Sequence, residues 1–135
     1  MTNLAEHIEG VRRTLAAYGQ AMDDGRYDDA ARLFAAEARW TVGGATHVGT
    51  AAIAEAMSGW PVRTGMKHLT ANSVIDVEPG GERARAVSDF FLVQAGEFGG
   101  VVQRAGRYYD ILQRTESGTW VFIERENRGT SFVAS

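Results

Sequence analysis

A change of hydrophobic period partway along the chain limits its fold more than any other feature. Through residue 22 the apolar side chains recur at helical intervals. Leu4, Ile8, Val11, Leu15, Tyr18 and Met22 lie four, three, four, three and four residues apart, one stripe of a long amphipathic helix. Asn3 with Glu6 offers a capping box at its start, and Gly25 a stop beyond its end. After Pro61 the pattern becomes short alternating runs of β-branched and aromatic residues, which predict strands near 68–77, 83–94, 101–114 and 120–127. Turns fall at Pro79-Gly80-Gly81, Gly96 to Gly100 and Ser117-Gly118. Between the two regimes the sequence predicts three smaller elements: a short helix from Asp28 to Ala35 that buries Ala31, Leu33 and Phe34; a hairpin of Trp40–Val42 with His47–Val48 around Gly43-Gly44; and a helix from Ala51 to Met57 capped by Thr50. Helices followed by a meander of long antiparallel strands define an α+β architecture, in which the helices cover the apolar face of the sheet. Strong curvature of such a sheet would enclose a pocket.

The 135 residues suffice for one compact domain, with a core spanning about 4–127 and a short mixed tail from 128 to 135. A net charge of −3 with no run of Lys and Arg argues against nucleic acid as a partner. The absence of Cys removes disulfides, thiolate metal sites and a thiol nucleophile, and fits a cytoplasmic location. The first residues carry neither a basic nor an apolar targeting pattern, and no stretch has the apolar length of a membrane span. His7, His47 and His68 have no metal-binding spacing, and the paired glycines lack a nucleotide-loop context, so neither metal nor cofactor is expected.

Among residues able to carry chemistry, His68 stands first, because imidazole exchanges protons near neutral pH. Alternation along its strand would put His68, Thr70 and Asn72 on one face. The simpler reading is a half-buried histidine that only hydrogen-bonds a neighbour. Asp89, Tyr108, Asp110 and Arg125 are further polar residues in strand surroundings; Tyr108 and Asp110 share a face and converge with His68 if that face lines the interior. Each also reads as an ion-pair partner on a surface or interface. Trp40, Trp60, Phe91 and Phe122 suit a core, or the lining of a hollow one.

Several local strings, in order, resemble one family. They are Tyr18-x4-Asp23, Tyr27-Asp-Asp-Ala-Ala-Arg-Leu-Phe-Ala, Ala38-Arg-Trp-Thr, Gly49-Thr-Ala-Ala-Ile, Lys67-His-Leu-Thr-Ala-Asn, Ser88-Asp-Phe-Phe-Leu-Val, Gly106-Arg-Tyr-Tyr-Asp and Trp120-Val-Phe-Ile-Glu-Arg. With them the chain resembles SnoaL-like proteins of the nuclear-transport-factor-2-like superfamily. The resemblance implies a cone-shaped curved sheet packed on N-terminal helices. In the scytalone dehydratase-like and dehydrochlorinase-like branches it implies that Asp23 orients His68 as a general base, and from related dehydratases and isomerases it implies that Tyr18 donates to a carbonyl or leaving oxygen. In the dehydrochlorinase-like branch, Arg125 matches a residue that holds an anionic leaving group.

The expected activity is a cofactor-independent lyase or isomerase, foremost a dehydratase, acting on a small apolar or cyclic, polyketide-like metabolite bound among Trp40, Asn72, Asp89, Phe91, Tyr108, Asp110 and Arg125. Polyketide cyclisation and epoxide hydrolysis stay open, as does a non-catalytic role like that of dioxygenase small subunits. The superfamily also leads us to expect a homo-oligomer, a dimer or else a trimer.

Overall fold

The computed structural model describes residues 3–62 and 64–130. Its first element is α1, Leu4–Asp23, whose N-terminus is capped by the Asn3 side chain accepting the Ala5 N–H at 2.8 Å. The buried face follows the expected stripe from Val11 onward but is rotated in the first turn, where Leu4 is 58% exposed and His7 is buried instead. Trp120 accounts for that rotation. Its ring meets the edge of His7 at 5.6 Å, and its backbone carbonyl accepts the Thr14 hydroxyl at 2.6 Å. The helix ends at Gly25, which takes a φ of 69° that other residues avoid.

Helix α2, Tyr27–Ala31, is shorter than the sequence predicts. Leu33 and Phe34 leave it to start the sheet: the Leu33 carbonyl accepts the Phe122 N–H at 2.8 Å, and Phe34 pairs with Phe122. Strand β1 runs Phe34–Val42 and β2 runs Ala45–Val48, forming the expected hairpin. In α3, Thr50–Ser58, Thr50 lies inside the helix, and the cap position belongs to Gly49 at φ 91° without a side-chain bond. The Thr50 hydroxyl turns instead toward the Ala35 carbonyl at 3.5 Å.

Four long strands follow: β3 Met66–Val77, β4 Arg83–Gly96, β5 Gly99–Arg114 and β6 Trp120–Gly129. They make one curved, unclosed sheet in the order β2-β1-β6-β5-β4-β3. It is not wholly antiparallel as expected, because β1 runs parallel to β6. Those two strands come from opposite ends of the chain, so no local turn sets their relative direction. Helix α1 packs across β3 and β6, and the concave face closes around Tyr18, Phe34, Trp40, Phe90, Tyr108, Leu112 and Phe122. No described helix is long and apolar enough to cross a membrane.

The backbones of β5 and β6 approach closely where Gly106 pairs with Gly129. A β-carbon on Gly106 would collide with the Arg128 carbonyl oxygen and lie 2.6 Å from the Phe90 ring. Gly106→Ala is therefore expected to destabilise the protein by about 1–3 kcal/mol, the usual penalty of overpacking, read as a lowered urea midpoint. An unchanged midpoint would show that Phe90 and β6 give way there without cost.

Candidate active site

The C-terminal turn of α1 lies against the outer edge of β3, and there Asp23 meets His68. The Asp23 carboxylate accepts the His68 backbone N–H at 2.8 and 3.1 Å, and its Oδ1 lies 2.6 Å from His68 Nδ1. Both side chains are largely buried, 10% and 6% exposed. Because β3 is an edge strand, its outward N–H at His68 has no neighbouring strand to donate to, and the carboxylate fills that role. An ionised carboxylate only accepts, so Nδ1 carries a proton. In the neutral form of the ring this selects the tautomer whose lone pair is on Nε2.

Deeper in the cone the polar residues form a second cluster. Arg125 binds Asp110 through two bonds, Nε to Oδ1 at 2.9 Å and Nη2 to Oδ2 at 3.2 Å, with both side chains fully buried. Its guanidinium lies over the rings of Tyr108, Tyr18 and Phe122 at 3.6, 4.2 and 4.5 Å. Burial works most strongly against the Arg125 charge, but the Asp110 carboxylate together with Tyr108 and Tyr18 outweighs it and the guanidinium stays protonated. Burial lifts the Asp110 carboxyl above its ordinary range, and Arg125 offsets only part of that. Burial also raises both the Tyr18 and Tyr108 phenols, against the pull of Arg125. Tyr18 links the two clusters, meeting the His68 ring edge-on at 6.5 Å and the Tyr108 ring at 6.0 Å. Two donors in this region, Trp40 Nε1 and Arg125 Nη1, are buried without a well-aligned acceptor, and Trp40 and Arg125 both lie beside the Tyr18 oxygen, where they favour its ionised form.

His68 faces a small cavity of about 40 Å³ enclosed by Met22, Asp23, Tyr27, Trp60, Met66 and Leu92, among others. That volume accommodates about one water. The cone is thus narrow, its depth filled by the aromatic core. Trp60, Pro61, Met66 and Leu92 also line a wider mouth of about 330 Å³, which continues to Gln103 and Arg104. The Tyr27 hydroxyl donates to the Trp60 carbonyl at 2.7 Å and fastens this segment beside the cavity. On its other side, His68 borders an open groove of about 600 Å³ between α1 and β3.

Of the residues singled out from sequence, Asp23, His68, Tyr18, Trp40, Tyr108, Asp110 and Arg125 all lie on the concave side or at its edge. Three do not. Asn72 adopts a φ of 53° at a bulge between Ala71 and Val74, which breaks the alternation that would have put it beside His68. Its side chain points instead to Asp89, 3.4 Å away. Asp89 stands on the convex face in an ion pair with Arg107 at 2.8 Å, which holds its carboxyl below the usual range. Phe91, 41% exposed, is on the same convex face opposite Leu69. The sequence reading missed Tyr27 at the small cavity and Met66, Leu92, Gln103 and Arg104 at the mouth. Among the described residues, no three His, Cys, Asp or Glu side chains converge as a metal site.

The fold is that of nuclear-transport-factor-2-like proteins with a cystatin-like sheet. One such protein, from Novosphingobium aromaticivorans, superposes with a TM-score of 0.83 and 26% identity, covering 97% of this chain and 86% of that one. Within that class the chain belongs to the SnoaL-like domain family, whose profile matches residues 4–126. A candidate scytalone dehydratase from Novosphingobium aromaticivorans DSM 12444 is similar at 22% identity and a TM-score of 0.76, covering 92% and 84% of the two chains. The ActVI-ORFA protein of Streptomyces coelicolor is similar at 13% identity and a TM-score of 0.79, covering 90% and 96%. Among curated proteins none matches the sequence.

Two outcomes follow from the buried cluster. Asp110→Asn leaves the Arg125 charge without its counter-ion and should cost about 3–5 kcal/mol of folding stability, measured by denaturant titration; a loss below 1 kcal/mol would mean that water reaches the pair. The raised phenol pKa values favour the folded state fully below about pH 10, and that contribution is lost as pH rises beyond it. Tyrosinate absorbance should therefore show Tyr18 and Tyr108 ionising only as the fold is lost. Ionisation of all four tyrosines like free phenols in intact protein would contradict this.

Proposed function

We propose that this protein is a cofactor-independent dehydratase in which His68 is the general base. The observation that carries the reading is the 2.6 Å contact of Asp23 with His68 Nδ1 in a buried setting, which leaves Nε2 of this cavity-lining side chain as the proton acceptor. The substrate class is a small cyclic β-hydroxy carbonyl compound. His68 Nε2 takes a proton from the carbon next to the carbonyl, and the electron pair of that C–H bond moves toward the carbonyl oxygen. The pair then returns to form the C=C bond as the C–O bond to the β-hydroxyl breaks. The departing oxygen takes the proton from His68 Nε2, so water leaves and the imidazole is neutral again. Asp23 stabilises the intermediate imidazolium and fixes its orientation.

Charge developing on the carbonyl oxygen needs donors, and the cone holds them near its centre. Tyr18 is neutral across the working pH range because burial raises its pKa, so it can donate. Trp40 and Arg125 stand beside the Tyr18 oxygen as donors, so the phenol that would donate to a substrate oxygen is itself polarised by them. The similarity to a candidate scytalone dehydratase supports the reaction class. A substrate larger than water must displace Trp60 and its neighbours, since the cavity beside His68 is so small. That narrowness favours a second reading, a non-catalytic binding or assembly role.

Turnover of a panel of cyclic β-hydroxy ketones, followed by the absorbance of the conjugated product, separates the two. Dehydration by the wild type that falls by about 10²–10⁴ in His68→Ala with the fold retained is the expected result. Full turnover in His68→Ala overturns the base assignment, and no turnover by the wild type across the panel favours the second reading.

A further inference from the structure

The mouth of the cone carries a chemical signature beyond the reaction centre. Its walls are apolar, made by Trp60, Pro61, Met66 and Leu92, and these same side chains enclose the small cavity at His68. The mouth is lined in addition by Gln103 and Arg104 and by no acidic residue. Arg104 stands across from Leu92 in the β4–β5 pairing, on the strand position that continues the concave face outward. Of the other described arginines, Arg26, Arg32, Arg107, Arg114, Arg125 and Arg128 pair with carboxylates and Arg12, Arg13, Arg39, Arg83 and Arg85 do not; what sets Arg104 apart from those five is its place in the lining of this apolar mouth. Among the described residues Arg104 meets no carboxylate within ion-pair distance, so a positive charge stands uncompensated beside an apolar funnel in a chain whose net charge is −3.

We propose that Arg104 anchors an anionic group of the ligand, so that the mouth selects a flat apolar body ending in a carboxylate. The apolar part lies between Trp60, Met66 and Leu92, pointing its inner end at His68, and the carboxylate stays at the solvent side, where guanidinium can hold it through two parallel bonds. Leaving the anion at the mouth avoids the cost of burying it, while the walls take the apolar surface out of water. A neutral metabolite of the same shape lacks the outer contact and binds more weakly. This deepens the proposed dehydration by naming the substrate class, and it rests on that reading only for what happens at the inner end.

The test uses 2-naphthoate and its uncharged counterpart 2-naphthamide, with the full chain and isothermal calorimetry, and with Trp60 and His68 resonances as reporters of position. The expected result is at least tenfold tighter binding of the naphthoate at low salt, with both reporters shifting. In Arg104→Gln the preference disappears while naphthamide binding is unchanged, and Arg104→Lys retains part of it. Equal affinity of the two probes, a preference that survives Arg104→Gln, or no binding of either overturns the proposal. His68→Ala keeps the naphthoate preference if the anchor is as described. Loss of turnover in that variant and loss of the preference in Arg104→Gln are thus separate results, and either reading can fail alone.

Discussion

Three hydrogen bonds to one carboxylate join the two halves of this protein. Asp23 ends the long helix α1, His68 lies near the start of the edge strand β3, and the carboxylate takes both the strand's unpaired N–H and the ring proton. Hydrogen bonds to a charged group contribute on the order of 1.5–3 kcal/mol each, so this junction helps fix where α1 crosses the sheet as well as how the imidazole is held. Structure and chemistry share one residue here. An acidic residue at a helix C-terminus opposes the helix dipole, and the contact with His68 supplies the compensating partner.

From that junction inward the cone becomes steadily less solvated. Beyond the small cavity the rings of Tyr18, Tyr108 and Phe122 surround Arg125, and Asp110 neutralises it from the strand behind. A charge kept this far from water needs both the ion pair and the ring faces, because desolvation alone would cost more than either returns. The cluster gives the interior an ion pair whose guanidinium end lies beside the phenol of Tyr18. In the proposed reaction, with His68 as the base at the rim, that end and the phenol stand on the side where an oxygen takes up charge as a proton leaves carbon.

Much of the architecture was legible because hydrophobic period reports directly on local backbone. The stripe from Val11 to Met22 and the alternation in the later strands placed α1 and the meander close to where they lie. Asp23 and His68 were found because one sits at the end of that stripe and the other at the start of a strand. What escaped depended on non-local geometry. A single bulge at Asn72 moved that residue away from His68, and nothing in Thr-Ala-Asn-Ser announces it beyond the tolerance of Asn for a positive φ. Phe91 and Asp89 depended on which pleat faces the helices, a choice that the two-residue period leaves open. The parallel pairing of β1 with β6 and the assembly of the mouth from the segment after α3 with β3, β4 and β5 arise only when distant segments meet.

The central claim is that Asp23 holds His68 with its proton on Nδ1 and its lone pair on Nε2. Long-range proton–nitrogen correlation of the imidazole, recorded near neutral pH in the wild type and in Asp23→Asn, tests it without any substrate. The account predicts the Nδ1–H tautomer in the wild type, with a strongly deshielded Nδ1 proton, and loss of that signal in the variant with the fold preserved. A wild-type His68 carrying its proton on Nε2, or one whose tautomer is indifferent to Asp23, would contradict it.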